Sequence, residues 1–95
     1  MPLRGREEAN GEEVDYYRLN AAKAYKKDLP PSWAIALFES KFNYVPSAAV
    51  TRGAVFGQNP SDSQKKRYRA YLQRLAFKNG KDLNWITQFM QLEFG

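Results

Sequence analysis

The stretch "WAIALFESKFN", Trp33 to Asn43, decides the fold, because the chain writes it twice. "WITQFMQLEFG", Trp85 to Gly95, repeats it at a constant offset of 52 residues, and the protein's two tryptophans open the two copies. Trp33, Leu37, Phe38 and Phe42 correspond to Trp85, Phe89, Met90 and Phe94. The spacing i, i+4, i+5, i+9 lays one broad apolar face along a short helix. Upstream, "KKDLPPSW" parallels "GKDLNW". Ser32 and Asn84 suit the N-caps of the two helices, and Asn43 and Gly95 suit the left-handed position at which helices end. Start signal, stop signal and filling recur together, which marks a degenerate repeat of one helical unit, about 30–45 and 82–95. A short amphipathic helix cannot bury a tryptophan and two further large residues by itself. The repeat therefore predicts that the copies bury these faces against each other and against longer helices. Trp33, Phe38, Phe42, Trp85, Phe89 and Phe94 are the expected structural anchors.

The longer helices lie outside the repeat. "EEVDYYRLNAAKAYKK", Glu12 to Lys27, opens with acids and closes with lysines, as the helix dipole favours, and Pro30 and Pro31 stop it. Pro46 and Ser47 begin a short helix through Arg52, ended by Gly53, and Gly57 to Pro60 make a turn. Ser61 with Gln64 is a capping-box pattern. It opens a helix from about Asp62 to Lys78, with Tyr68, Tyr71, Leu72, Leu75 and Ala76 as its core stripe and Asn79–Gly80 as its end. No segment reads convincingly as a strand. The expected fold is all-α, a small bundle of four to five short helices with an internal pseudo-repeat. Residues 1–11, rich in charge and poor in apolar residues, read as a flexible tail, and residues 12–95 as a single basic helical domain.

Composition narrows the chemistry. There is no Cys and no His among the 95 residues, so disulfides, thiolate nucleophiles and the usual neutral-pH general base are missing, as are the ordinary zinc ligands. No glycine-rich phosphate loop is present. Glu39 and Glu93 hold non-equivalent places in the two copies, so the repeat builds no carboxylate pair, and both are expected on solvated helix faces. A non-catalytic protein without metal or cofactor is the expectation. No apolar run approaches the ~20 residues of a membrane span, and "MPLRGREEANGEE" offers no signal-peptide core, so a cytoplasmic setting without membrane contact is expected.

Charge points to a partner. Residues 1–15 carry two arginines against five acids, net −3, which leaves +8 for the remaining 80 residues. "SDSQKKRYRAYLQRLAFKNGK" holds seven basic residues and one acid between Asp62 and Lys81. On a helix, Arg67, Arg74 and Lys78 fall within about 40° of one another beside the apolar stripe, Lys65 and Arg69 flank its other side, and Lys66 points away. Such a helix can lay basic flanks along a phosphate backbone while its apolar face stays in the core. Lys65, Lys66, Arg67, Arg69, Arg74, Lys78 and Lys81 are the candidate phosphate contacts, with Arg52 a further base or phosphate contact. A solvated, solubilising helix face is the plain alternative. Phe77 falls opposite the core stripe and is expected to pack under the last helix, with stacking on a base as the other role. The partner is nucleic acid, DNA ahead of RNA, or else an acidic tail or amphipathic helix of another protein held by the same basic rim and an apolar groove between the repeats. In either case the acidic N-terminal segment could occupy the basic face and inhibit it.

Two resemblances follow from these residues. "VPSAAVTR", Val45 to Arg52, resembles the turn and early recognition helix of helix-turn-helix repressors. Val45, Val50, Thr51 and Arg52 fit the pattern, while Pro46 replaces the usual Ser and Tyr44 the usual Gly. The resemblance implies that Ser47, Ala48, Thr51 and Arg52 face a major groove. "GKDLNWITQFMQLEFG", and "KDLPPSWAIALFESKFNYVP" with Asn43 in place of the glycine, resemble a short Trp…Phe-Gly helical module at the C-terminal ends of some superfamily II DEAD/DEAH-like helicases and in small bacterial and phage-like proteins. The likeness spans about forty residues in two blocks and includes no motor motif. It implies a DNA-metabolism setting and an accessory contact role, without ATPase activity.

Overall fold

The computed structural model describes residues 10–95, which form five helices: α1 Gly11–Lys26, α2 Pro31–Phe42, α3 Ala48–Thr51, α4 Asp62–Asn79 and α5 Leu83–Phe94. Among the described residues there is no strand. The expected all-α bundle is the fold found. The helix ends follow local chemistry. Asn10 caps α1 through its side-chain oxygen, which accepts from Glu13 N at 2.8 Å, so Gly11 belongs to the helix and not to a tail. Residues 1–9 of the expected tail lie outside the described residues. Asn43 ends α2 and Gly80 ends α4, both in the left-handed region. Ser61 and Gln64 form the full capping box of α4: Gln64 N donates to Ser61 Oγ at 3.1 Å, and Ser61 N donates to Gln64 Oε1 at 2.9 Å. Ser61→Ala is expected to lower stability by about 1 kcal/mol in a denaturant titration.

Two expected caps are displaced. Helix α2 starts at Pro31, with Pro30 rather than Ser32 in the cap position, because a proline at the first helical residue lacks only an N–H that would have no partner. Helix α5 is capped by Asp82, not Asn84; its carboxylate accepts from Trp85 N at 3.1 Å and meets the positive end of the dipole. The repeat survives the correction. Pro30 and Asp82 stand 52 residues apart, as do Asn43 and Gly95, and α2 and α5 each run 12 residues.

The repeat predicts packing of the copies on each other and on the longer helices; the second is found, and the first is not a main contact. Helix α2 packs on α1, and α5 on α4, so the molecule is two helical hairpins joined by α3. Each hairpin has its own core. Tyr17, Ala21, Ala34, Phe38, Val50 and Ala54 centre the first. Tyr68, Tyr71, Leu72, Leu75, Ala76, Ile86 and Phe89 centre the second, and the whole predicted α4 stripe is buried. Phe38 and Phe89 are the deep anchors; Phe42 and Phe94 are half-buried. Trp33 and Trp85 are also only half-buried, since both sit in the first turn after a hairpin bend, at the end of the bundle.

Three joints couple the hairpins. Tyr25 of α1 reaches into the second core, 4.9 Å from Tyr71 and 5.4 Å from Phe56 between ring centroids. The Tyr71 hydroxyl donates to the Leu29 carbonyl in the α1–α2 bend. The third joint is Glu93. It is 3% exposed, not solvated as expected, and its Oε2 accepts from Val55 N at 2.9 Å and Phe56 N at 3.1 Å. These two amides belong to the connection after α3, which has no secondary structure to satisfy them. Gly53 N donates to the Glu93 carbonyl at 2.7 Å in the same joint. Gly53 has φ +72°, and a Cβ there would stand 2.7 Å from the Gly57 carbonyl oxygen, so only glycine fits. Glu39, by contrast, is exposed as expected.

Candidate nucleic-acid interface

Helix α4 faces inward with Tyr68, Tyr71, Leu72, Leu75 and Ala76. This fixes the rest of its surface outward. Lys65, Lys66, Arg67, Arg69, Arg74, Lys78 and, just beyond the helix, Lys81 are all exposed. Arg67, Arg74 and Lys78 form one row, with rises of roughly 10 Å and roughly 6 Å between successive members along the axis. Arg74 pairs with Asp28 at 3.0 Å, both side chains about 60% exposed. Among the described residues the other six make no ion pair. The row is therefore held by a rigid, capped helix, and its charge is left largely unneutralised.

The Arg74–Asp28 pair also shows something the sequence did not. It brings the C-terminal end of α1, with exposed Lys26 and Lys27, beside the middle of α4. These lysines read only as helix-closing residues in the sequence. Asp28 and Arg74 lie 46 residues apart, and no local pattern links them.

Phe77 is 93% exposed, which overturns its expected packing under α5. It stands opposite the buried stripe, and α5 packs against the other side of the helix. Beyond it, at the two hairpin bends, lies a cleft of about 490 Å³ lined by Pro30, Ser32, Asn79, Lys81 and Trp85. The Trp85 indole also packs edge-on to Phe89 at 5.0 Å.

Arg52 is not part of the α4 row. Its guanidinium lies at the C-terminal end of α5, close enough that a Cβ on Gly95 would come within 2.8 Å of Nε. That is a favourable place for a cation on a helix dipole. The helix-turn-helix geometry is also absent. Helix α3 is a single turn of four residues, Thr51 is buried with an Oγ1 that makes no hydrogen bond, and Val50 is in the first core. Ser47 and Ala48 therefore do not begin a recognition helix.

Part of the acidic segment belongs to α1, and residues 1–9 lie outside the described residues. Its net −3 comes from Glu12, Glu13 and Asp15, which lie on α1; residues 1–9 carry two arginines and two glutamates. Glu13 is buried and accepts from the Tyr44 hydroxyl, and Glu12 pairs with Lys41 at 3.9 Å. Burial pushes the phenols of Tyr17, Tyr68 and Tyr71 up, with the Glu93 carboxylate adding to the effect on Tyr17 and Tyr68. Comparison with protein-family models, curated proteins and solved structures finds no match for the chain.

Proposed function

We propose that this protein is a non-catalytic, cytoplasmic module that binds nucleic acid through phosphate contacts from the outward face of α4. One observation carries the reading: six exposed cations on and just beyond one rigid helix, without ion-pair partners among the described residues. Lys65, Lys66, Arg67, Arg69, Lys78 and Lys81 are the phosphate contacts, and Arg74 shares its charge with Asp28. The resemblance of the Trp…Phe-Gly unit to a helicase-associated module puts DNA ahead of RNA. No helix of the described residues is long and apolar enough to cross a membrane.

Contacts of this kind release counterions. For about five phosphates, affinity falls by roughly a hundredfold or more between about 50 mM and about 200 mM salt. A fluorescence anisotropy titration of labelled DNA and RNA at the two concentrations measures this directly. A second reading, an adaptor for an acidic segment of another protein, is favoured by the cleft between the hairpin bends, where Trp85 and Pro30 lie beside Lys81. Absence of nucleic-acid binding at the lower salt, with capture of an acidic peptide, would select it.

A further inference from the structure

An aromatic ring at the pole of a basic helix has a specific use. Phe77 is 93% exposed and sits one turn from Arg74 and next to Lys78. Residues three and four apart on a helix surface bring their side chains within about 5–6 Å at Cβ. Lys81 follows four residues on, just past the Gly80 cap. The ring thus stands beside one flank of cations, with Arg74 one turn before it and Lys78 next in the chain, and Gln73 and Ala70 on the same outward stripe are too small or too polar to cover it.

An intact duplex offers such a ring no free base plane, since its bases are already stacked on one another and a ring enters only by unstacking a step, at a cost of about a few kcal/mol. A single strand offers unstacked bases, and every base has a face that an aromatic side chain can cover. We propose that the α4 face selects single-stranded nucleic acid, with Phe77 as a stacking platform for an unpaired base and Lys78 and Lys81 on the flanking phosphates. The proposal rests on the nucleic-acid reading above and adds the form of the strand. Charge complementarity argues for this occupant: between Asp62 and Lys81, seven cations face one acid.

The test compares wild type and Phe77→Ala on three labelled probes at low salt: a thymidine oligonucleotide, its ribose counterpart, and a duplex of the same length. Because Phe77 touches almost nothing in the fold, the variant keeps its stability. The expected result is a loss of about tenfold in affinity for the single strands, from one lost stack, with duplex affinity unchanged. Phe77→Trp restores it. On an oligonucleotide carrying abasic sites throughout, wild type and Phe77→Ala bind equally. Equal losses on single strand and duplex, or an undiminished Phe77 effect on the abasic probe, would overturn the stacking role and leave the basic face standing. Failure of wild type to bind any probe would overturn both.

Discussion

Glu93→Ala is expected to cost about 3 kcal/mol of stability, a large share of what a domain of this size possesses. The substitution removes the acceptor of two part-buried amides, Val55 N and Phe56 N, and each amide left without a partner costs roughly 1–3 kcal/mol, the lower end applying where water can reach it. Part of that cost is offset, because the variant no longer keeps a carboxylate out of water. Thermal unfolding should move down by about 15 °C. Both amides donate to one oxygen, Oε2, so a glutamine oxygen can replace it, and Glu93→Gln should cost only about 1 kcal/mol near neutral pH.

The same pair of variants carries a pH signature. Burial raises the Glu93 carboxyl above its ordinary value; the Phe56 and Val55 amides and the Arg18 charge oppose this without cancelling it. The native state therefore holds its proton at pH values where the unfolded chain has lost it. Stability from this group is fully present below the unfolded pKa, about 4.3, and is lost as pH rises through the folded one. Relative to Glu93→Gln, wild type should lose stability as pH rises from about 4 toward neutral. A flat difference between the two across that range would mean that Glu93 is not held out of water.

The second large effect is on binding. Arg67→Glu with Lys78→Glu is expected to weaken nucleic-acid affinity by about a hundredfold or more near 0.1 M salt, and to lower the slope of log affinity against log salt by about 2. Both side chains lie on one flank of α4, are exposed and have no ion pair among the described residues, so the fold should keep its stability within about 0.5 kcal/mol. Arg74 is the poorer choice for this test, since reversing it would also set a glutamate against Asp28. An unchanged affinity in a folded double variant would move the binding face elsewhere on the molecule.

Much of the fold was legible because it is local. The α4 stripe, the capping box at Ser61 and Gln64, and the left-handed ends at Asn43 and Gly80 are each written within a few residues, and all are present. The repeat was also legible, but not its packing. Sequence similarity shows that two helices have the same apolar face, yet it does not say what each face meets; here the preceding helix in the chain is the nearer partner. Glu93 was misread for a related reason. A glutamate in an amphipathic helix reads as solvent-facing, and only the fold brings the unpaired amides of residues 55 and 56 to it. Its counterpart in the first copy is Lys41, so the repeat gave no warning. Phe77 was misread because phenylalanine is among the residues most often buried, and no local pattern shows that α5 packs against the other side of α4. The basic row of the candidate face was readable from sequence; the lysines of α1 beside it were not, because the Asp28–Arg74 contact is purely tertiary.

The most direct measurement is an amide NMR titration of the full chain with a short single-stranded oligonucleotide. Shifts are expected to concentrate between Lys65 and Lys81 and to reach Lys26 and Lys27, while the buried first core around Phe38 stays unmoved. No shifts at low salt, or shifts gathered on α2 and α3 with α4 silent, would contradict the proposed face.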